Sequence, residues 1–84
     1  MPYTVEFSAH GARSFRKLSH STQEAILPIL QLLSSNPRPP GVKKLKETGD
    51  WRVRVGDYRI VYEIRDNTLH VLIVKIAHRS EAYK

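Results

Sequence analysis

The sequence predicts an α+β fold in which an N-terminal helical hairpin covers one face of a small, twisted, mostly antiparallel sheet, with elements in the order β-α-α-β-β-β. Two observations predict this fold. The last third of the chain consists of strand-like runs rich in β-branched and aromatic residues, separated by short turn signals, which is typical of a β-meander. Ahead of it, a single strand-like run is followed by two stretches with apolar residues at helical spacing.

Length and composition set the class of protein. With 84 residues, 40% of them hydrophobic, residues 1–84 are predicted to form one domain with a thin core. There is no cysteine, which fits a reducing compartment. The N-terminus has no signal-like segment and no apolar run approaches ~18 residues, so we expect a cytoplasmic protein without a membrane partner. The net charge of +6 favours a polyanionic partner, either nucleic acid or an acidic protein; the alternative is a basic surface without function.

The N-terminal half is predicted to hold one strand and two helices. Tyr3–Phe7 alternates and is rich in β-forming residues, and Ser8 can cap the helix that follows. The second helix is expected to begin at a capping box formed by Ser21 and Glu24. Pro28 lies within this helix and predicts a kink or a later start, because proline costs about 3 kcal/mol in a helix interior.

The second helix is predicted to end near Ser34, before the proline-rich linker Asn36–Gly41. The strands of the meander are expected at residues 51–55, 58–64 and 69–76. Gly56-Asp57 is a two-residue turn with glycine first, which suits type II′, and Asp66-Asn67 is predicted to form the second turn.

The Gly56-Asp57 turn predicts which side chains share a face, because it sets the register and side chains alternate along a strand. One face is apolar and is expected to contact the helices: Trp51, Val53, Val55, Tyr58, Ile60, Tyr62, Ile64, Leu69, Val71 and Ile73. The other carries Arg52, Arg54 and Arg59, with Arg54 opposite Arg59 and their Cβ atoms ~5 Å apart. Such like charges cost stability, so their convergence predicts an anion site, since arginine binds phosphate in bidentate fashion. The alternative is a solvated face whose arginine stems cover apolar neighbours.

The C-terminal residues add groups that can transfer protons. His78, Arg79 and Tyr83 follow the last strand, whose end is expected to reach the arginine hairpin, so these residues are candidates to meet the arginine face. Imidazole and phenol can move protons, whereas guanidinium only holds charge. This combination, without a metal-ligand set or cofactor motif, predicts metal-independent RNA cleavage in which the 2′-OH attacks the adjacent phosphorus. The alternative is a solvated histidine and a tyrosine that pins the tail.

Two motifs resemble those of the RelE/ParE toxin superfamily, and the resemblance covers nearly the whole chain. The stretch LKETGDWRVRVGDYRIVYEI resembles the family's Leu-Lys, aromatic, alternating basic and GDYR signature, and KIAHRSEAY resembles its closing motif. A RelE-like member is implied to be the toxin of a type II toxin–antitoxin system that cleaves mRNA in the ribosomal A site and inhibits translation. The implied partners are a cognate antitoxin, in an arrangement that allows for a heterotetramer, and the ribosome with its A-site mRNA and rRNA.

The resemblance also assigns roles by position. Arg59 matches the phosphate-binding arginine of GDYR, and Tyr83 matches the C-terminal tyrosine. The basic residue after the last strand is matched by Arg79, or by His78 beside it. The implied catalytic residues are therefore Arg59, His78, Arg79 and Tyr83, and the implied RNA phosphate-binding residues are Arg52 and Arg54. The charges of Lys43, Lys44 and Lys46 make them further candidates for phosphate binding, and the alternative is a solvated basic face.

Arg52 and Arg54 stand where the best-known member has lysines. Because arginine does not readily give up its proton, proton transfer is expected to fall to His78 or Tyr83, with Glu47 and Glu63 as alternatives. Two other functions share the fold. A ParE-like toxin would inhibit DNA gyrase by binding without chemistry, and an inactive basic module would act only with its antitoxin.

Overall fold

A computed structural model of the protein describes residues 2–82 and, among these, the side chains of residues 2–80. The elements are β1 (Thr4–Phe7), α1 (Ala9–Arg16), α2 (His20–Ser35), β2 (Lys43–Lys44), β3 (Trp51–Val55), β4 (Tyr58–Arg65), β5 (His70–His78) and α3 (Arg79–Ala82). The strands form one five-stranded sheet in the order β1-β5-β4-β3-β2. β1 pairs with β5 in parallel and the other neighbours are antiparallel, so the predicted α+β class is confirmed. In the described part of the chain, no helix is both long and apolar enough to cross a membrane.

α1 packs directly on β5, and a glycine permits the close approach. Ser8 caps α1 as predicted, accepting a hydrogen bond from the Gly11 N–H at 3.0 Å. A Cβ atom placed on Gly11 would lie 2.1 Å from the carbonyl oxygen of Ile73 in β5. The Ser8 N–H donates to that same carbonyl at 2.9 Å. These contacts fix α1 above β5, the strand that leads to the C-terminal site residues.

α2 begins earlier than predicted. The hydroxyl of Ser19 accepts a hydrogen bond from the Thr22 N–H at 3.3 Å, so Ser19 is the N-cap and the predicted capping box of Ser21 and Glu24 is wrong. Both serines offer the same chemistry, and the earlier one is selected because the preceding α1–α2 connection is short.

Pro28 lies inside α2, which continues through it to Ser35, so the later helix start predicted from this proline is wrong. The helix buries Ile26, Leu30 and Leu33 against the sheet. Burying one such side chain contributes roughly 1.5–3 kcal/mol. Three of them outweigh the ~3 kcal/mol that an interior proline costs.

The core lies between α2 and the sheet. The sheet residues of this core cluster are Ile60, Tyr62, Val71, Ile73 and Ile76. The Tyr62 hydroxyl donates a hydrogen bond to the Pro37 carbonyl oxygen at 2.8 Å, and burial raises the pKa of Tyr62 to about 12. Among the described residues, no charged side chain is buried, so the charged groups all lie at the surface.

The β3–β4 hairpin has the predicted register. Arg54 pairs with Arg59, and Trp51 pairs with Tyr62. Gly56 has φ of +59°, whereas Asp57 has a negative φ, as a type II′ turn requires. The hairpin therefore separates its large apolar residues from its arginines as predicted.

β5 begins later and ends later than the predicted strand at 69–76. Leu69 was expected on the apolar face, but it lies in the β4–β5 turn with φ of +56°. The predicted two-residue Asp66-Asn67 turn is therefore too short, since the turn continues to Leu69.

A β-bulge in β5 changes which side chains face the helices. Tyr62 pairs with Ile73, but the preceding Val61 pairs with Lys75, so Val74 falls between the two pairs. One extra residue shifts the alternation along the rest of the strand. Ile76 consequently joins the core.

Candidate functional site

The end of β5 reaches the turn of the β3–β4 hairpin. Because β5 runs antiparallel to β4, His78 pairs with Tyr58. Arg79 follows, and its backbone N–H donates to the Asp57 carbonyl oxygen at 2.7 Å. Its Nε also lies 3.9 Å from Asp57 Oδ1. The backbone hydrogen bond and the charge contact together hold Arg79 beside the turn.

Three arginines line a small cavity at this end of the sheet, which we call the arginine pocket. It has a volume of about 60 Å³ and is lined by Arg54, Gly56, Asp57, Tyr58, Arg59 and Arg79. Since one water molecule needs roughly 10–15 Å³ of such space, the pocket can hold a group of a few heavy atoms such as a phosphate. Asp57 supplies the one carboxylate among these lining residues, so the pocket carries a net positive charge.

A second row of residues lies next to the arginine pocket on the same face of the sheet. Arg52 pairs with Lys43 on one side and with Val61 on the other. Val61 pairs in turn with Lys75. Directly paired residues share a face, so Lys43 and Arg52 extend the positive surface beyond the pocket.

The other two predicted lysines lie elsewhere. The Lys44 Nζ is 5.8 Å from the centre of the Trp51 ring, on the face opposite Arg52. The Arg38 Cζ lies 5.2 Å from the same ring, so Trp51 attracts two cations. Lys46 is exposed in the loop after β2. Of the three predicted lysines Lys43, Lys44 and Lys46, Lys43 alone pairs with a residue on the face of the arginine pocket.

His78 lies on the helix side of the sheet, away from the arginine pocket. Its ring contacts Tyr58 edge to face, with centroids 5.2 Å apart. Its Nδ1 accepts a hydrogen bond from the Ser80 N–H at 3.2 Å and lies 2.9 Å from the Ser80 hydroxyl. Because a backbone N–H can only donate, the neutral ring carries its proton on Nε2. The structure thus brings Arg79, but not His78, to the arginine face.

The remaining proton-transfer candidates are not gathered at the pocket. Tyr83 lies outside the described residues. Glu63 is engaged by Arg65, with 2.6 Å between Oε1 and Nε, and it pairs with Leu72 rather than with a residue of the pocket. Glu47 is exposed in the loop before β3.

A larger cavity lies between α1 and β5, and we call it the α1–β5 groove. Its volume is about 340 Å³, and its lining residues are His10, Ser14, Lys17, Leu18, Tyr58, Lys75, Ile76 and His78. Tyr58 borders both this groove and the arginine pocket. The two cavities therefore adjoin at the end of the sheet.

Sequence reasoning missed Asp57, which it treated as a turn residue only, and Lys75. The spacing of Ile73 and Ile76 is a signal in the sequence for the face of β5 on which Lys75 lies. Apolar residues three apart break the two-residue alternation of a strand and indicate a bulge. Reading that break places Ile76 and His78 on the helix side.

The chain matches a family model described as the ParE toxin of type II toxin–antitoxin systems, parDE, over residues 3–83. The chain belongs to the RelE/ParE family of toxins. This RelE/ParE toxin is 33% identical over 86 residues to Toxin RelG of Mycobacterium tuberculosis, covering 100% of this chain and 99% of the relative. The resemblance seen in the sequence motifs is thereby confirmed.

Solved structures agree with this family. The toxin–antitoxin complex RelBE2 from Mycobacterium tuberculosis contains a chain with a TM-score of 0.84 and 31% identity, covering 95% of this toxin and 94% of that chain. The archaeal RelE–RelB complex from Pyrococcus horikoshii contains a chain with a TM-score of 0.81 and 27% identity, covering 94% of this toxin and 97% of that chain. The isolated RelE toxin of E. coli, at 22% identity and a TM-score of 0.79 with 96% and 95% covered, shares the fold.

Proposed function

We propose that this RelE/ParE toxin is an endoribonuclease that cleaves mRNA in the ribosomal A site, in the cytoplasm, and so inhibits translation. The observation that carries the proposal is the arginine pocket, where Arg54, Arg59 and Arg79 surround a phosphate-sized space. Strands hold such groups more precisely than loops do. Similarity to RelE-type toxins along the whole chain supports the same activity.

In the proposed reaction, the 2′-oxygen of a nucleotide attacks the adjacent phosphorus and the bond from phosphorus to the 5′-oxygen breaks. The products are a 2′,3′-cyclic phosphate and a 5′-hydroxyl, so one proton leaves the 2′-OH and one reaches the 5′-oxygen. The arginines bind the non-bridging oxygens and stabilise the added negative charge of the transition state. The nucleophile belongs to the RNA and the arginines supply the positive charge, so we propose that no metal is needed.

The 2′-OH proton needs an acceptor, and arginine does not serve as one. Asp57 borders the arginine pocket and has a carboxylate 3.9 Å from the Arg79 Nε. We propose Asp57 as an acceptor beside the sequence-based candidate Tyr83. For His78 to take this role, its ring would have to leave its contacts with Tyr58 and Ser80.

We propose that the protein partner is a cognate antitoxin of RelB type, in an assembly that includes a heterotetramer. The similar chains from Mycobacterium tuberculosis and Pyrococcus horikoshii are found in complexes with antitoxins. A net charge of +6 favours a partner with acidic segments. An antitoxin that covers the arginine pocket would exclude RNA from it.

The proposal is tested by adding the purified toxin to ribosomes programmed with a defined mRNA. We expect cleavage at the A-site codon with 2′,3′-cyclic phosphate ends, and no cleavage when the attacking nucleotide carries a 2′-O-methyl group. Toxin stripped with EDTA and then separated from it should cleave at the same rate. Intact mRNA under these conditions would sink the proposal.

A second candidate function has one observation in its favour, which is that the matching family model bears the ParE name. Under this alternative the toxin binds DNA gyrase and inhibits it without chemistry. The discriminating result is inhibition of DNA supercoiling by gyrase together with intact mRNA on ribosomes.

A further inference from the structure

The α1–β5 groove adjoins the arginine pocket, and the proposed reaction leaves it without a role. We propose that the groove binds the nucleotide next to the one whose phosphate occupies the arginine pocket, on the same RNA strand. The inference rests on the proposed function, because it extends that substrate by one nucleotide.

The α1–β5 groove is lined by positive charge. Lys17 lines the groove from α1. Lys75 lies on the arginine face by its pairing with Val61 but also borders the groove at the edge of β5, and both lysines are exposed. His10 adds a third basic side chain. In the described part of the chain, the groove lining contains no aspartate or glutamate. A polyanion is therefore attracted to the groove, and the two ammonium groups suit a phosphate lying across its opening.

The walls of the groove are partly aromatic and apolar. Tyr58 and His78 form an edge-to-face pair with centroids 5.2 Å apart, and both are half-buried. Leu18 and Ile76 add apolar surface. Nucleobases stack on aromatic rings and tolerate apolar neighbours. Since Ser80 engages Nδ1 of His78, the ring offers its Nε2–H as a donor to an acceptor atom on the base.

The groove is large enough for a nucleotide and adjoins the arginine pocket. A volume of about 340 Å³ lies at the lower end of the ~300–1,000 Å³ typical of small-ligand sites, which is enough for one nucleotide. The arginine pocket, at about 60 Å³, is much smaller. Tyr58 borders both cavities, and the neighbours His78 and Arg79 line one each. A strand can therefore pass around the end of the sheet from one cavity to the other.

The groove is accessible at the edge of β5. β1 pairs with β5 only as far as Ile73, whereas β4 pairs with β5 as far as His78. Among the described residues, no strand pairs with the other edge of the segment from Lys75 to His78. α1 is held above this edge by the Gly11–Ile73 approach. The groove is thus an opening between a fixed helix and an uncovered strand edge.

The experiment measures binding of uncleavable RNA to the free toxin, without ribosomes. The probes are a 2′-O-methyl dinucleotide with one phosphodiester and a 2′-O-methyl tetranucleotide with three. The test variant is Lys17→Ser combined with Lys75→Ser. The matched control is Arg13→Ser combined with Arg16→Ser, which removes two exposed charges from α1 that do not line the groove. Circular dichroism confirms that each variant is folded.

We expect the test variant to bind the tetranucleotide about tenfold more weakly than the control does, with unchanged binding of the dinucleotide. Its slope of log affinity against log salt should fall by ~1.4, which corresponds to two lost contacts with single-stranded phosphates. His78→Ala should weaken tetranucleotide binding about fivefold or more through lost stacking. Equal tetranucleotide affinity in the test and control variants would overturn the inference.

Binding measurements on the Arg59→Ala variant separate the groove inference from the proposed function of the arginine pocket. If this variant loses dinucleotide binding while the groove variant matches its control, the inference fails and the arginine pocket stands. If Arg59→Ala binds both probes as the wild type does, the arginine pocket fails as an RNA site, and the groove inference fails with it. Loss of ribosomal cleavage by the groove variant with unchanged tetranucleotide binding would indicate contact with rRNA and would also overturn the inference.

Discussion

The two faces of the central sheet are built from alternating residues of the same strands, yet their side chains have opposite effects on stability. On the helix-covered face, Ile60 and Tyr62 are fully buried, and the Tyr62 hydroxyl has a carbonyl partner in Pro37. On the other face, Arg54 stands directly opposite Arg59. Opposed like charges lower stability, whereas satisfied buried groups raise it.

The residues that stabilise the fold and those that we propose to bind RNA therefore lie on separate faces. Strand alternation makes the separation possible, because neighbouring residues along β4 serve different purposes without sharing contacts. The bulge at Val74 then decides which groups of the C-terminal segment join which face. Substitutions on the two faces should therefore have separable effects on RNA cleavage and on the free energy of unfolding.

The largest effect is expected from removing the proton acceptor. Asp57→Asn should lower the rate of ribosomal mRNA cleavage by roughly 10²–10⁴-fold, because a general base typically contributes that much. Tyr83→Phe is the matched comparison, since it removes the other candidate. The measurement is the single-turnover cleavage rate. If Asp57→Asn cleaves at the wild-type rate and Tyr83→Phe does not, the acceptor is Tyr83.

Arg59→Ala should reduce cleavage by roughly 10²–10³-fold, as loss of one transition-state donor does elsewhere. The free energy of unfolding should stay unchanged or rise, since Arg54 loses an opposed like charge. Arg65→Ala is the control, because it removes an exposed arginine of the same strand. Cleavage assays and urea denaturation measure the two effects. A destabilised Arg59→Ala variant would show that the arginine face also supports the fold.

The comparison of faces also shows how far sequence reasoning reaches. The pairing of Arg54 with Arg59 follows from the Gly56-Asp57 turn, since a two-residue loop leaves one register. His78 could not be placed in the same way. Its position depends on the bulge at Val74, which changes the alternation through a long-range pairing of β5 with β4. Local patterns predict a hairpin well because both strands share its turn.

The start and the continuity of α2 also depend partly on the local sequence and partly on tertiary contacts. Ser19 and Ser21 are equally good caps by local chemistry, and the connection to α1 selects the first. Pro28 disfavours a helix locally, but burial of Ile26 and Leu30 maintains it. The convergence of Arg54 and Arg59 on one face was predictable from the turn, and Arg79 was among the residues expected to meet them. The contact that places Arg79 there, a backbone hydrogen bond to Asp57, was not predicted.

Core truncation tests the helix-covered face. Ile60→Ala should lower the free energy of unfolding by about 2–5 kcal/mol, because the side chain is fully buried and its loss leaves a cavity. Val61→Ala is the matched control, one residue along β4 on the arginine face and only half-buried. We expect the control to cost less than half as much. Denaturant titration decides the point, and equal losses would contradict the assignment of stability to one face.

The smallest effect is expected for an exposed ion pair, Arg38–Asp66, which contacts neither of the two cavities. Arg38 donates to both carboxylate oxygens of Asp66, at 3.3 and 2.9 Å, and the Tyr3 hydroxyl donates to Oδ1 at 2.6 Å. The Arg38 hydrogen bonds, followed by that from Tyr3, hold the pKa of Asp66 below its usual value. A carboxyl whose pKa is lowered on folding stabilises the fold above its unfolded pKa of about 3.9, and this contribution is lost as pH falls through the folded value.

The wild type should therefore lose more stability between pH 5 and pH 2 than Asp66→Asn does, with the difference between them disappearing at the acid end. The effect is small because these groups are solvent-exposed and screened. The measurement is the urea midpoint as a function of pH, with Asp50→Asn as a control for an aspartate outside this ion pair. Parallel curves of urea midpoint against pH for the wild type and Asp66→Asn would show that the Arg38–Asp66 pair contributes nothing to folding. Exposed arginine–carboxylate pairing would then be excluded as a source of stability at the β4–β5 turn. In either case we expect the two proteins to cleave mRNA at the same rate.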